Sequence, residues 1–141
     1  MIFWASSEVY RLADQASEKC RRSAEAYLNA ALESSSLNAV EGKLRYVPII
    51  MPEGMRENYP ERSKLRVQEH IYDCAPQLDY ETFVSGNFEQ QLREYIRGIS
   101  LSAPYLAGLG ASAEQIEEFK SIMGSAIEHI LAEHQDNNGK P

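Results

Sequence analysis

From Val9 onward the apolar residues fall at Val9, Leu12, Ala13, Ala16, Cys20, Ala24, Tyr27, Leu28, Ala31 and Leu32, the i, i+3, i+4 progression of one helix face. The opposite face carries Asp14, Glu18, Arg21, Arg22 and Glu25. This spacing predicts one long amphipathic helix over about 8–33, whose stripe must be buried against something large. Ser6 or Ser7 is the expected N-cap, Glu8 sits favourably near the positive end of the macrodipole, and Ser34-Ser35-Ser36 stops the helix. Ahead of it Ile2-Phe3-Trp4 is aromatic and β-favouring and runs into the helical pattern with no Gly or Pro between. A first strand over about 1–6 is therefore expected.

Beyond Gly42, residues 44–51 (Leu-Arg-Tyr-Val-Pro-Ile-Ile-Met) read as a second strand, with Pro48 at an edge or bulge because it cannot donate to a ladder. Residues 52–60 are rich in breakers and charge and read as a long loop. Residues 62–74 alternate, with Leu65, Val67 and Ile71 one way and Lys64, Arg66, Gln68 and His70 the other, which predicts a third strand. The remainder is helical. Asp79 caps a short turn holding Phe83 and Val84, and Ser85 or Asn87 caps a helix with the stripe Phe88, Leu92, Tyr95, Ile96 and Ile99. Ser112 and Gln115 have capping-box spacing ahead of a last helix burying Ile116, Phe119, Ile122, Met123, Ala126, Ile127, Ile130 and Leu131, in which Gly124 suggests a close helix contact. The expected class is α+β: a small, three-stranded, mostly antiparallel sheet packed on helices.

A chain of 141 residues with 43% hydrophobic content can bury a core without staples. Its 14 bases against 21 acids give a net charge of −7, which argues against direct nucleic-acid binding and favours a basic protein partner. Cys20 and Cys74 have neither CxxC nor framework spacing, so reduced thiols are expected. No export signal or membrane-length apolar run is found, which points to the cytoplasm.

Catalytic signals are sparse. His129 and Glu133 lie at i, i+4, with His134 next, but HExxH and a second ligand pair are missing, so a solvated helix end is the simpler reading and neither metal nor cofactor is expected. His70 would need carboxylates from elsewhere in the fold to act as a base. The stretch from Gly108 to Ser112 resembles an anion-binding helix start, but Glu114, Glu117 and Glu118 would repel a phosphate, and capping explains it better. Charge is more telling: residues 1–74 hold 11 acids and 10 bases, residues 75–141 hold 10 and 4, so six of the seven excess negative charges lie in the second half. Lys43, Arg45, Arg56, Arg62, Lys64 and Arg66 make the strand-loop-strand unit locally positive, ordinarily a solvated face.

The opening Ile2-Phe3-Trp4-Ala5-Ser6-Ser7-Glu8-Val9, the strand from Val47 to Pro52, Tyr59 with Glu61, and Leu78 to Phe83 before a helix resemble, in order and spacing around one long helix, immunity protein family 44 of bacterial polymorphic-toxin and contact-dependent inhibition systems. The resemblance covers about residues 1–101. It implies a non-enzymatic, stoichiometric inhibitor that binds the C-terminal toxin domain of a delivered protein, and it brings no catalytic residues. Trp4, Ser6, Glu8, Pro48 and Phe83 match the motif and are read as structural: Trp4 and Phe83 as core, Ser6 as a cap and Pro48 as a bend. By charge, Glu53, Glu57, Glu61, Glu114, Glu117 and Glu118 are the expected toxin contacts, and a basic nuclease is the expected toxin. One domain over 1–134 is expected, with 102–134 a helical extension and 135–141 a flexible tail. The rival readings are a small enzyme using His70 and a helical dimerisation module; sequence leaves the oligomeric state open.

Overall fold

Side-chain parity along the first strand sets the layers of the computed structural model, which describes residues 1–6, 8–9 and 13–138. β1 (Ile2–Ala5) buries Phe3 and Ala5, whereas Ile2 is exposed and Trp4 half-buried on the other side. The chain continues through β2 (Glu8–Val9), α1 (Asp14–Glu33), β3 (Lys43–Tyr46), β4 (Ile49–Ile50), β5 (Arg62–Arg66), β6 (Ile71–Ala75), α2 (Tyr80–Ser85), α3 (Phe88–Ser100) and α4 (Ala113–Asn138). The main sheet has the order β1-β3-β6-β5, and β2 and β4 form a separate two-stranded ladder.

The α+β class is as expected, but the sheet has four strands and two of its three pairings are parallel: β1 with β3 and β3 with β6, leaving only β5 with β6 antiparallel. The cause is α1, a crossover that returns the chain to the end of the sheet where β1 began. The strand expected over 62–74 is in fact a hairpin. A 3-10 turn at Val67–Glu69 and a left-handed His70 (φ 54°) reverse the chain, so Arg66 pairs with Ile71. Across the hairpin Arg66 Nε bonds Asp73 at 2.8 Å, and Arg66 Nη1 bonds Glu69 at 2.8 Å. The expected second strand breaks at Val47-Pro48 into β3 and β4, so Pro48 lies between ladders where its missing N–H costs nothing.

α1 starts later than its pattern suggested. Glu8 and Val9 are in strand β2, paired with Ile49 and Ile50, and the cap residue Ala13 makes no side-chain capping bond. Glu8 is therefore not at the helix N-terminus, and Ser6 is not its cap: Ser6 N–H donates to the Tyr46 carbonyl at 2.9 Å, extending the β1 ladder. Ser7 and Leu12 lie outside the described residues, as does the end of the 135–141 tail. The later caps follow the sequence. Asp79 accepts from Thr82 N–H, Asn87 and Gln90 form a reciprocal capping box, and Ser112 and Gln115 exchange bonds of 2.8 and 3.1 Å.

All the long helices cover one face of the sheet, where Phe3, Leu44, Tyr46 and Tyr72 meet Cys20, Ala24 and Leu28 of α1, Tyr95 of α3, and Phe119, Met123 and Ala126 of α4 in one core. Phe83 joins this core; Trp4 does not, because its parity sends it outward. A smaller cluster closes the outer face at the leaving ends of the strands, where Met55 and Tyr59 pack against Val47, Ile49, Met51 and Ala75. The free edge of β1 is occupied by a side chain: Asn29 of α1 accepts from Phe3 N–H and donates to the Phe3 carbonyl, both at 2.9 Å.

At the centre, the Tyr46 hydroxyl donates to the Tyr95 carbonyl at 2.9 Å and the two rings meet edge to face at 5.2 Å. Gly98 makes this approach possible, since a Cβ there would collide with the Tyr46 hydroxyl and lie 2.9 Å from Leu78. Gly124 is different: a Cβ there would meet nothing within 4 Å, so the close contact suggested by sequence is not made. It lines a groove of about 430 Å³ between α3 and α4 instead. Gly98→Ala should cost about 2 kcal/mol through overpacking, whereas Gly124→Ala should gain about 1 kcal/mol in helix propensity. Urea unfolding of the two variants should move the midpoint in opposite directions.

Candidate functional site

The six glutamates singled out by charge do not form one surface. Glu114, Glu117 and Glu118 lie in the first turns of α4, beside the entering ends of the parallel strands. There Glu118 bonds the Ser36 amide (3.1 Å) and hydroxyl, Gln115 Nε2 donates to the Ser36 carbonyl (2.9 Å), and Glu117 pairs with Lys120 at 3.1 Å. The adjoining 3-10 turn Ser36–Ala39 and Val40 hold the N-terminal ammonium through the Leu37 and Val40 carbonyls at 2.9 and 2.6 Å. Glu53, Glu57 and Glu61 lie at the leaving ends. The 3-10 turn Glu53–Asn58 is fastened to the segment after β6: Arg56 Nη2 donates to the Leu78 carbonyl at 3.0 Å, and Gln77 Nε2 to the Arg56 and Tyr59 carbonyls at 3.2 and 3.0 Å. All three carboxylates here are exposed, and none has an ion pair among the described residues.

Four of the bases that make the strand-loop-strand unit locally positive come together on the outer side of the sheet. Register puts Ile2, Lys43, Ile71 and Arg66 in one row and Trp4, Arg45, Asp73 and Lys64 in the next, all on the side away from the helices. Trp4 lies between two cations, with Lys43 Nζ 5.4 Å and Arg45 Cζ 5.2 Å from its ring. Asp73 is the one carboxylate in the two rows, and it is shared by Arg66 at 2.8 Å and Arg45 at 3.5 Å. The signal was present as bases at i, i+2 in two segments; what was missing was the sheet order that sets those segments on either side of β6.

The groups considered for catalysis are engaged elsewhere or dispersed. His70 is exposed at the hairpin turn, and the nearby carboxylates Glu69 and Asp73 both pair with Arg66. His129 stacks on Tyr27 at 5.6 Å and the His134 ring meets Phe88 at a tilt, 4.5 Å away, so the expected solvated helix end is partly packed. Among the described residues no three His, Cys, Asp or Glu side chains converge to hold a metal. The most perturbed carboxyl, Glu18, is held down at about 2 by hydrogen bonds from Arg21 and then Arg22 on the α1 surface, a helix ion-pair cluster. No helix among the described residues is long and apolar enough to cross a membrane.

Compared with known protein families, residues 1–129 match a family model described as immunity protein 44. No curated protein and no solved structure matches the chain. The match runs past residue 101 and through most of α4.

Cys20 and Cys74 are both buried, and burial pushes each thiol from 9.0 up to about 12. Because the folded pKa is raised, these thiols contribute stability that is fully present below the ordinary thiol range and lost as pH rises from about 9 towards 12. A chromogenic disulfide reagent at pH 8 should leave both thiols of the folded protein unlabelled for hours and titrate two per chain in denaturant.

Proposed function

The chain belongs to the immunity protein 44 family, and from that premise we propose that it protects its producing cell by binding, one to one, the C-terminal toxin domain of a contact-dependent or polymorphic toxin in the cytoplasm. The observation that carries this reading is the extent of the match, which takes in the whole sheet and α4 as far as His129. The side-chain chemistry supports inhibition by contact rather than by reaction. Both thiols are buried and protonated, two of the three histidines pack on aromatic rings, and the carboxylates beside the third are paired with Arg66.

The proposed toxin is a nuclease, whose substrate-binding cleft must be cationic. Of the six glutamates, Glu53, Glu57 and Glu61 are the proposed contacts, because each is exposed at the leaving end of the sheet and none has an ion pair among the described residues. The α4 group has work within the fold: Glu118 holds Ser36, Glu117 holds Lys120, and all three complement the positive end of the helix. Carboxylates at such a rim act chiefly by steering encounter, so they set the association rate more than the lifetime of the complex.

The test uses the toxin domain encoded by the neighbouring upstream reading frame. Co-expression should rescue growth and yield a one-to-one complex; a complex-free, unprotected culture overturns the immunity reading for that pair. Glu53→Gln/Glu57→Gln/Glu61→Gln should slow association about tenfold at low salt, a gap that closes as salt screens the charges. The matching α4 triple variant should associate at the wild-type rate, and equal rates for all three proteins would remove the loop contact.

A further inference from the structure

We infer that the uncovered sheet face centred on Trp4 is the second half of the docking surface, and that it receives an acidic patch with an apolar centre on the same toxin domain. This inference rests on the immunity reading above. Three observations carry it.

The first is exposure. Among the described residues the helices pack on the opposite face, with the first turns of α1 bordering Trp4, and the cluster of Met55 and Tyr59 closes the outer face at the leaving ends of the strands, so the side chains of two ladder rows stay at least partly exposed. Ile2 is 61% exposed there, beside a half-buried Trp4, the only tryptophan in the chain. A large, partly exposed aromatic beside an arginine is a pairing enriched at interface centres.

The second is charge segregation. These two rows hold four of the 14 bases and one of the 21 acids of a chain whose net charge is −7. The one acid, Asp73, is already shared by Arg45 and Arg66, and Lys43 and Lys64 have no ion pair among the described residues. The unmet charge is therefore positive and calls for carboxylates from a partner.

The third is continuity with the acidic rim. The turn that carries Glu53 and Glu57 packs through Met55 and Tyr59 on Val47 and Ala75, the next row of the same face. A cationic floor and an anionic rim thus adjoin, and such a surface accepts a partner of opposite polarity in one orientation. Nucleic acid fits less well, because its phosphates would be repelled by the rim and by the rest of a strongly acidic molecule.

The probe is again the toxin domain of the upstream neighbour, with affinity measured for Lys43→Glu/Lys64→Glu and, where charge reversal perturbs folding, for Lys43→Gln/Lys64→Gln. The reversal should weaken binding at least tenfold, and the neutral pair should weaken it severalfold, with thermal unfolding like that of the wild type. A chain carrying 5-fluorotryptophan gives one fluorine resonance, which should shift and lose its solvent-isotope effect when toxin is added. If the wild type binds toxin while both variants bind within twofold of it and the resonance stays put, the docking face is overturned and the immunity reading stands. If the wild type does not bind toxin, both fall. Binding of a 20-base-pair duplex at physiological salt that the variants lose would reassign the face to nucleic acid, and a wild-type dimer dispersed by the variants would reassign it to self-association; either result overturns the proposal.

Discussion

The hydroxyl of Tyr46 is sealed from water, so it must find an acceptor inside the protein, and it finds one in the carbonyl of Tyr95. The rest of the architecture is aligned by that bond. Tyr46 lies on β3, the strand with a parallel neighbour on each side, so placing β3 against α3 also places β1 and β6. Burial pushes the phenol well above its ordinary range, so the hydroxyl keeps its proton and donates at any physiological pH. The approach is so close that α3 must present bare backbone at Gly98, which makes a glycine inside a helix a packing requirement rather than a weakness.

Because every long helix lies on one side, the two faces of the sheet obey different rules. On the inner side Phe3, Leu44, Tyr46 and Tyr72 are selected by volume and by the core they fill. On the outer side the alternate residues of the same strands answer to solvent, and among the described residues the turn from Glu53 to Asn58 packs there. One set of strands therefore serves as core wall on one side and leaves its alternate side chains on the other.

What the sequence disclosed depended on whether the governing interaction was local. The stripe of α1 and the caps at Asp79, Asn87 and Ser112 are local, and each was readable before any tertiary structure. The hairpin was hidden because Val67 preserves the alternation through a turn in which it is 64% exposed, and because the left-handed residue is His70 rather than a glycine that would have marked it. The outward placement of Trp4 was hidden for a related reason: parity is decided by which neighbour fills the core, and here Phe3 does. The acidic residues were readable as charges but not as neighbours, since Glu57 and Glu117 are separated by the length of the strands between the two ends of the sheet.

Asn29 has a consequence outside the fold. By supplying both an acceptor and a donor to Phe3, its amide stands where another strand would add itself to β1. A binding partner is thereby denied main-chain recognition at that edge, which is the most sequence-tolerant kind of contact, and must read side chains. Side chains on an open face can be exchanged one at a time without disturbing the ladder beneath them. The β1 edge is thereby closed to strand addition from a second copy of the chain as well.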